Sequence, residues 1–203
     1  MDENIFMMCK ALNRQAFSAL PPGFAVRTLR REELDFWKAM PFDDDYTAEQ
    51  AAYMDEFFRR TYAAQEETFF DRTLVVCDPN DQIVGTCFLW QAYGLFNTLH
   101  WFKVIKAYEG RGIGRALLSI LFQDVTDADL PIYLHTQPES YRAIVVFRFR
   151  LCAIDRPAHR ATGQSDRTVL ALLVSRDAAA GLRPTPLCHG AGCVYCWNGG
   201  ATG

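Results

Sequence analysis

Apolar and polar positions along this chain follow two periods, and the changes from one to the other mark its elements. Phe24 and Val26 alternate with Ala25 and Arg27, the period of a first strand. Arg31 to Trp37 reads as a short helix that Pro41 stops. Thr47 and Gln50 form a capping-box pattern, and behind it Ala51, Met54, Phe57, Phe58 and Tyr62 fall on one helical face. Core packing accounts for those aromatics. Leu74–Cys77 and Ile83–Trp90 are β-branched runs around Asp78-Pro79-Asn80-Asp81, which predicts a hairpin. After a turn at 93–97, Thr98 to Ile105 returns as a central strand. Ile113, Leu117, Leu118, Leu121 and Phe122 mark an amphipathic helix that fades at Asp127-Ala128-Asp129. Ile132–Thr136 reads as a fifth strand, 140–151 as a helix, and Thr168–Val174 as the strand that closes the sheet.

Residues 1–20 hold a short apolar-periodic segment (Ile5, Phe6, Met8, Cys9, Leu12), read as a helix packed on the domain or a partly ordered lead-in. Pro21-Pro22-Gly23 ends it. The order of elements predicts the α/β (α+β) class: a mixed, largely antiparallel central sheet flanked by helices. The expected organisation is a lead-in over 1–22, one domain over 23–175 and a Cys-rich tail over 176–203. No internal repeat is visible.

Composition narrows the picture. With 203 residues, half of them hydrophobic, the chain is long enough for one sizeable core but not for two full domains. A net charge of −3 argues against the broad basic surface that nucleic-acid binding needs. No apolar run reaches the ~18 residues of a membrane span. Met1-Asp2-Glu3-Asn4 opens with acids, unlike the basic start of a secretory signal. Seven cysteines, an odd number largely in apolar context, fit a reducing cytoplasm better than a disulfide framework. A monomer or a homodimer is expected.

The chemistry concentrates where the central strand runs into Glu109-Gly110-Arg111-Gly112-Ile113-Gly114-Arg115 and then a helix. Glycines at such a junction allow tight turning and close approach of the backbone to a ligand. The helix start adds unpaired N–H groups and the positive end of its dipole, which together suit a phosphate or diphosphate. Arg111 and Arg115 add charge. The spacing fits neither the Walker loop nor the dinucleotide pattern Gly-x-Gly-x-x-Gly.

This segment resembles the acyl-CoA-binding signature of the GNAT (GCN5-related) N-acetyltransferases, Gln/Arg-x-x-Gly-x-Gly/Ala after a strand ending in valine. Val104 stands as the valine, and Glu109 replaces the usual Gln or Arg. The resemblance implies acetyl-CoA as co-substrate, held by the main chain of residues 109–115. It also implies a bulge that splays the central strand from the next, with backbone groups near Phe102 and Val104 on the pantetheine arm and acyl oxygen. The loop and helices between the first two strands then wall the acceptor site, so Phe42, Tyr46 and the acids Asp43, Asp44 and Asp45 either face a cationic acceptor or form a solvated acidic loop.

Acyl transfer from a thioester needs a neutral amine, whereas free alkyl amines have a pKa near ~10. It therefore needs a proton acceptor, a donor to the thioester carbonyl and an acid for the departing thiolate. His100, four residues before Val104, lies where some family members, arylalkylamine N-acetyltransferases among them, carry a histidine used as proton acceptor. The alternatives are a core histidine hydrogen-bonded to the backbone, or one half-exposed at the strand. Ser140-Tyr141-Arg142-Ala143 with Phe147 resembles the family's second half-motif, Asn-x-x-Ala-x-x-x-Tyr-x-x-x-Gly-Phe. Ser140 replaces the cofactor-binding Asn, and Phe147 replaces the Tyr proposed as acid. A phenyl ring donates no proton, so that role passes to Tyr141, Ser140 or water.

In the tail, Cys193-x-x-Cys196 has the bite of half a zinc site, with Cys188 or His189 as further candidates. A full tetrahedral set is not visible, and no metal is assigned. Two functions remain: an acetyl-CoA-dependent N-acyltransferase acting on a primary amine in a ternary complex, or a catalytically weak acyl-CoA-binding regulatory or metal/redox-sensing protein on the same fold.

Overall fold

A computed structural model of the chain describes residues 5–92, 94–136 and 151–153. In chain order the regular elements are β1 (Ile5–Cys9), β2 (Ala25–Thr28), α1 (Leu34–Ala39), α2 (Ala48–Thr61), α3 (Glu66–Arg72), β3 (Leu74–Cys77), β4 (Ile83–Ala92), β5 (Phe96–Val104), α4 (Ile113–Leu121), β6 (Ile132–Thr136) and β7 (Leu151–Ala153). The strands form one sheet in the order β2-β3-β4-β5-β6-β1-β7. Each neighbouring pair is antiparallel except β5–β6.

Two apolar layers cover the sheet. On one face α4 brings Ile113, Leu117 and Phe122 against Val84, Leu99 and Phe102. On the other, α1 to α3 bring Trp37, Phe57, Tyr62 and Phe69 against Phe88 and Trp101. Coverage on both sides explains why the middle strands read as apolar runs rather than as clean alternation.

Local chemistry sets the elements as the sequence implies. Gln50 N–H donates to Thr47 Oγ1, and Gln50 Oε1 accepts from Thr47 N–H, closing the reciprocal cap at the start of α2. At the β3–β4 turn, Asp78 Oδ1 accepts from the amides of Asn80 and Gln82, while Asp81 takes a left-handed φ of 60°. Beyond the end of α4, the Arg14 guanidinium donates to the carbonyls of Gln123 and Val125. No described helix is long and apolar enough to cross a membrane.

Two readings need correction. The segment read as a helix or lead-in contains β1, which lies inside the sheet between β6 and β7. Met7, Met8 and Cys9 are consecutive and all buried, so side chains on both faces of the strand are apolar and no period of two survives. The helix read over 140–151 does not extend to its last residue, because Leu151 opens β7. The rest of that helix, the strand at 168–174 and the tail lie outside the described residues.

Candidate active site

The site grows from β5. Thr86 pairs with Lys103 and Phe88 with His100, so between these rungs β4 contributes Cys87 alone while β5 contributes both Trp101 and Phe102. This is a bulge, and Trp101 carries it with a φ of +48°. A bulky residue is rarely held there, at a cost of about 1–3 kcal/mol. The extra residue turns Phe102 and Val104 toward α4, and Trp101 and Lys103 toward α1 and α2.

On its other side β5 meets β6 through two parallel rungs, Asn97–Ile132 and Thr98–Tyr133. The ladder is not continued beyond them among the described residues, although β5 runs to Val104 and β6 to Thr136. The two strands thus form a fork opening toward the C-terminal end of β5. The bulge sits on its β5 side.

At that same end the chain passes through a short turn at Lys106–Tyr108 into the glycine segment. Gly110 has φ +76° and Gly112, the residue capping α4, has φ +85°. A Cβ at either would meet nothing within 4 Å, so the backbone conformation, not crowding, asks for glycine. The open space leaves room for an anion beside the first α4 amides, which a helix cannot pair internally. Gly114 serves differently: a Cβ there would lie 3.1 Å from Phe102 Cζ, so its bareness lets α4 settle on β5. Ile113 is buried beneath the turn, whereas Glu109, Arg111 and Arg115 stay at least partly exposed. The Arg111 guanidinium donates to Ala107 O and lies 4.8 Å over the Tyr108 ring. Tyr108 donates to Asp78, which holds the phenol above its ordinary pKa.

His100 is 7% exposed. Its Nδ1 lies 2.7 Å from Tyr62 Oη and its Nε2 2.7 Å from Thr98 Oγ1. Nearby, Lys103 is 2% exposed with its ammonium 2.6 Å from Asp43 Oδ2. Asp43 belongs to the acidic loop before α2, and the structure brings that loop against β5 through this contact. Tyr46 packs on Phe42 at 5.5 Å, and burial, followed by the Asp55 charge, raises its phenol pKa. Sequence reasoning missed the Lys103–Asp43 pair and the parts of Tyr62 and Trp101. Its one signal was a lysine set between the apolar Phe102 and Val104.

The structure therefore brings His100, Phe102, Val104 and residues 109–115 to one end of β5. Ser140, Tyr141 and Phe147 lie outside the described residues, as do Cys188, His189, Cys193 and Cys196. Among the described residues no group of His, Cys, Asp or Glu is arranged to hold a metal ion.

Known proteins share this fold. The overall fold is similar to a GCN5-related N-acetyltransferase from Sphaerobacter thermophilus (18% identity, TM-score 0.52, 75% of this chain and 49% of that one). It is also similar to a tandem GNAT protein from the clavulanic acid biosynthesis pathway (14% identity, TM-score 0.54, 77% and 51%). A GNAT-family acetyltransferase from Colwellia psychrerythraea matches at 11% identity and TM-score 0.52, over 75% and 53%. The chain spans about half the length of these solved structures. No curated protein matches it in sequence. The model of the acetyltransferase (GNAT) family matches residues 33–150, more than half of the chain, and the chain belongs to that family.

Proposed function

We propose that this protein transfers an acetyl group from acetyl-CoA to a primary amine by direct attack within a ternary complex. Membership of the family implies acyl-CoA-dependent N-acetyltransferase-type activity in general. The acetyl group, the amine and the direct route are our reading. The observation that carries it is the alignment of three features at one end of β5: the fork, the bulge, and the open, left-handed glycines that start α4.

The residues present fit an acyl-CoA. Main-chain amides of 110–115 would hold the diphosphate, and main-chain groups of Phe102 and Val104 on the fork side of β5 would hold the pantetheine arm and acyl oxygen. The bound thioester supplies the activated acyl group. A C–N bond forms as the C–S bond breaks, the amine loses a proton to solvent water, and the departing thiolate takes one up. His100, its nitrogens lying against Tyr62 and Thr98, is better placed to shape β5 than to accept that proton. We keep Ser140 and Tyr141 as candidate donors to the thiolate. The buried thiols of Cys77 and Cys87, neither of them in a disulfide, support a reducing, cytoplasmic location.

Thiol release from acetyl-CoA in the presence of tryptamine, spermidine, lysine or a short peptide with a free N-terminus tests the reading, with CoA calorimetry beside it. Saturable release that depends on one of these amines is expected. Tight CoA binding without release from any of them would replace the transferase with the binding-only alternative. Undetectable CoA binding at millimolar concentration would remove both.

A further inference from the structure

Tyr62 lies at the C-terminal end of α2, 0% exposed, and its hydroxyl links groups on the neighbouring strand. The direction of each hydrogen bond follows from what its partners can do. Thr98 Oγ1 donates to the Trp90 carbonyl at 2.9 Å, and a carbonyl only accepts. The single threonine proton is thus committed, so the 2.7 Å contact with His100 makes Nε2–H the donor. A neutral imidazole protonated at Nε2 presents Nδ1 as acceptor, and Tyr62 donates to it. Trp101 Nε1 is a donor only, and it donates to the same Tyr62 oxygen at 3.1 Å. With the imidazole neutral, these contacts run in one continuous line: Trp101 to Tyr62 to His100 to Thr98 to Trp90.

Both ends of that line matter to the fork. Trp101 is the bulge residue with φ +48°, and Thr98 is the last β5 residue paired to β6. The line spans the bulge and the point where the strands part, and it ties both to α2. The Tyr62 ring is packed independently of its hydroxyl, with Trp90, Phe69 and Phe88 at 5.0, 4.9 and 5.5 Å.

We propose that Tyr62 is a positioning residue for the acyl-CoA arm: its hydroxyl fixes Trp101 and His100 and so holds the fork between β5 and β6 open. This rests on the acyl-CoA reading above. It concerns the arm alone, because the diphosphate site at α4 has no member in the line.

Tyr62→Phe keeps the ring and removes the bond donor, and calorimetry with two probes reads the result. CoA occupies fork and helix start together, whereas ADP carries the diphosphate without the arm. CoA affinity is expected to fall about tenfold and ADP affinity to change less than twofold. In imidazole ¹⁵N spectra, the His100 signals of the wild type should report Nε2–H with Nδ1 unprotonated, and should move in the variant. Thr98→Val, which breaks the other end of the His100 contact, should give the same split if Tyr62→Phe does not fold. Unchanged CoA affinity, or equal losses for CoA and ADP, would overturn the proposal. A wild type that binds neither probe would instead overturn the acyl-CoA reading, and this inference with it.

Discussion

Lys103 and Asp43 form an ion pair at 2.6 Å that joins the bulged strand to the loop ahead of α2. The lysine is buried, and the aspartate takes φ 49°, ψ −120°, a turn conformation that favours glycine. Neutralising Asp43, itself partly exposed, weakens the pairing of a buried ammonium, at a cost of about 1.5–3 kcal/mol. Asp43→Asn tolerates the backbone and deletes only the charge, so it should lose that much in urea unfolding. The Lys103→Met/Asp43→Asn double variant should lose less than half as much. If Asp43→Asn stays within about 1 kcal/mol of wild type, the pair behaves as a surface contact does.

Gly112 caps α4 at φ +85°, where an L side chain is strained although there is space for it. Gly112→Ala should destabilise the protein by about 1 kcal/mol and re-aim the first amides of α4. CoA affinity is expected to fall at least about tenfold, equivalent to about 1.4 kcal/mol. Gly114→Ala acts through Phe102 instead and should perturb α4 packing first. An unchanged CoA isotherm for Gly112→Ala would show that the left-handed cap does not shape the anion site.

The role of His100 separates on one comparison. A proton acceptor replaced by glutamine lowers kcat and leaves acetyl-CoA affinity near wild type. A residue that shapes β5 changes both. For His100→Gln we expect weaker acetyl-CoA binding along with any fall in turnover, measured by calorimetry and by thiol release. A pure kcat effect would return His100 to the chemistry.

Glu33 accepts two hydrogen bonds from Arg27, and this pairing holds its carboxyl below the ordinary value of 4.5. The unfolded chain therefore binds the proton more tightly than the folded one. The stabilisation is present above about pH 4.5 and is lost as pH falls through the lower folded value. Glu33→Gln should cost about 1–3 kcal/mol at neutral pH and flatten the stability profile in the acid range. Urea midpoints from about pH 7 down to about pH 3 check this. Parallel profiles for the two proteins would exclude the contribution.

The sequence made some of this readable and hid the rest for physical reasons. Thr47 and Gln50 announced the start of α2, and Asp78 to Asp81 the hairpin, because caps and turns are built from nearby residues. The candidate anion site is equally local: strand, glycines and helix follow one another from Leu99 to Leu118. β1 was misread since a strand covered on both faces carries no alternation to see. Tyr62 was rightly placed on the apolar face of α2, but its hydroxyl matters through Trp101 and His100, almost 40 residues away. Lys103 and Asp43 are further apart still. Side-chain contacts of that kind follow from topology, which no short window of sequence contains.

The place of β1 also bears on how the chain is made. Its pairing partner Ile132–Thr136 is encoded more than a hundred residues later. At translation speeds of about 5–20 residues per second, the five residues Ile-Phe-Met-Met-Cys wait roughly 6–25 s for that neighbour. The nascent protein thus holds a sticky apolar ribbon until β6 and β7 can close on its two sides, and an obstruction attached there would block an internal seam beside the last strand of the sheet, not a loose edge.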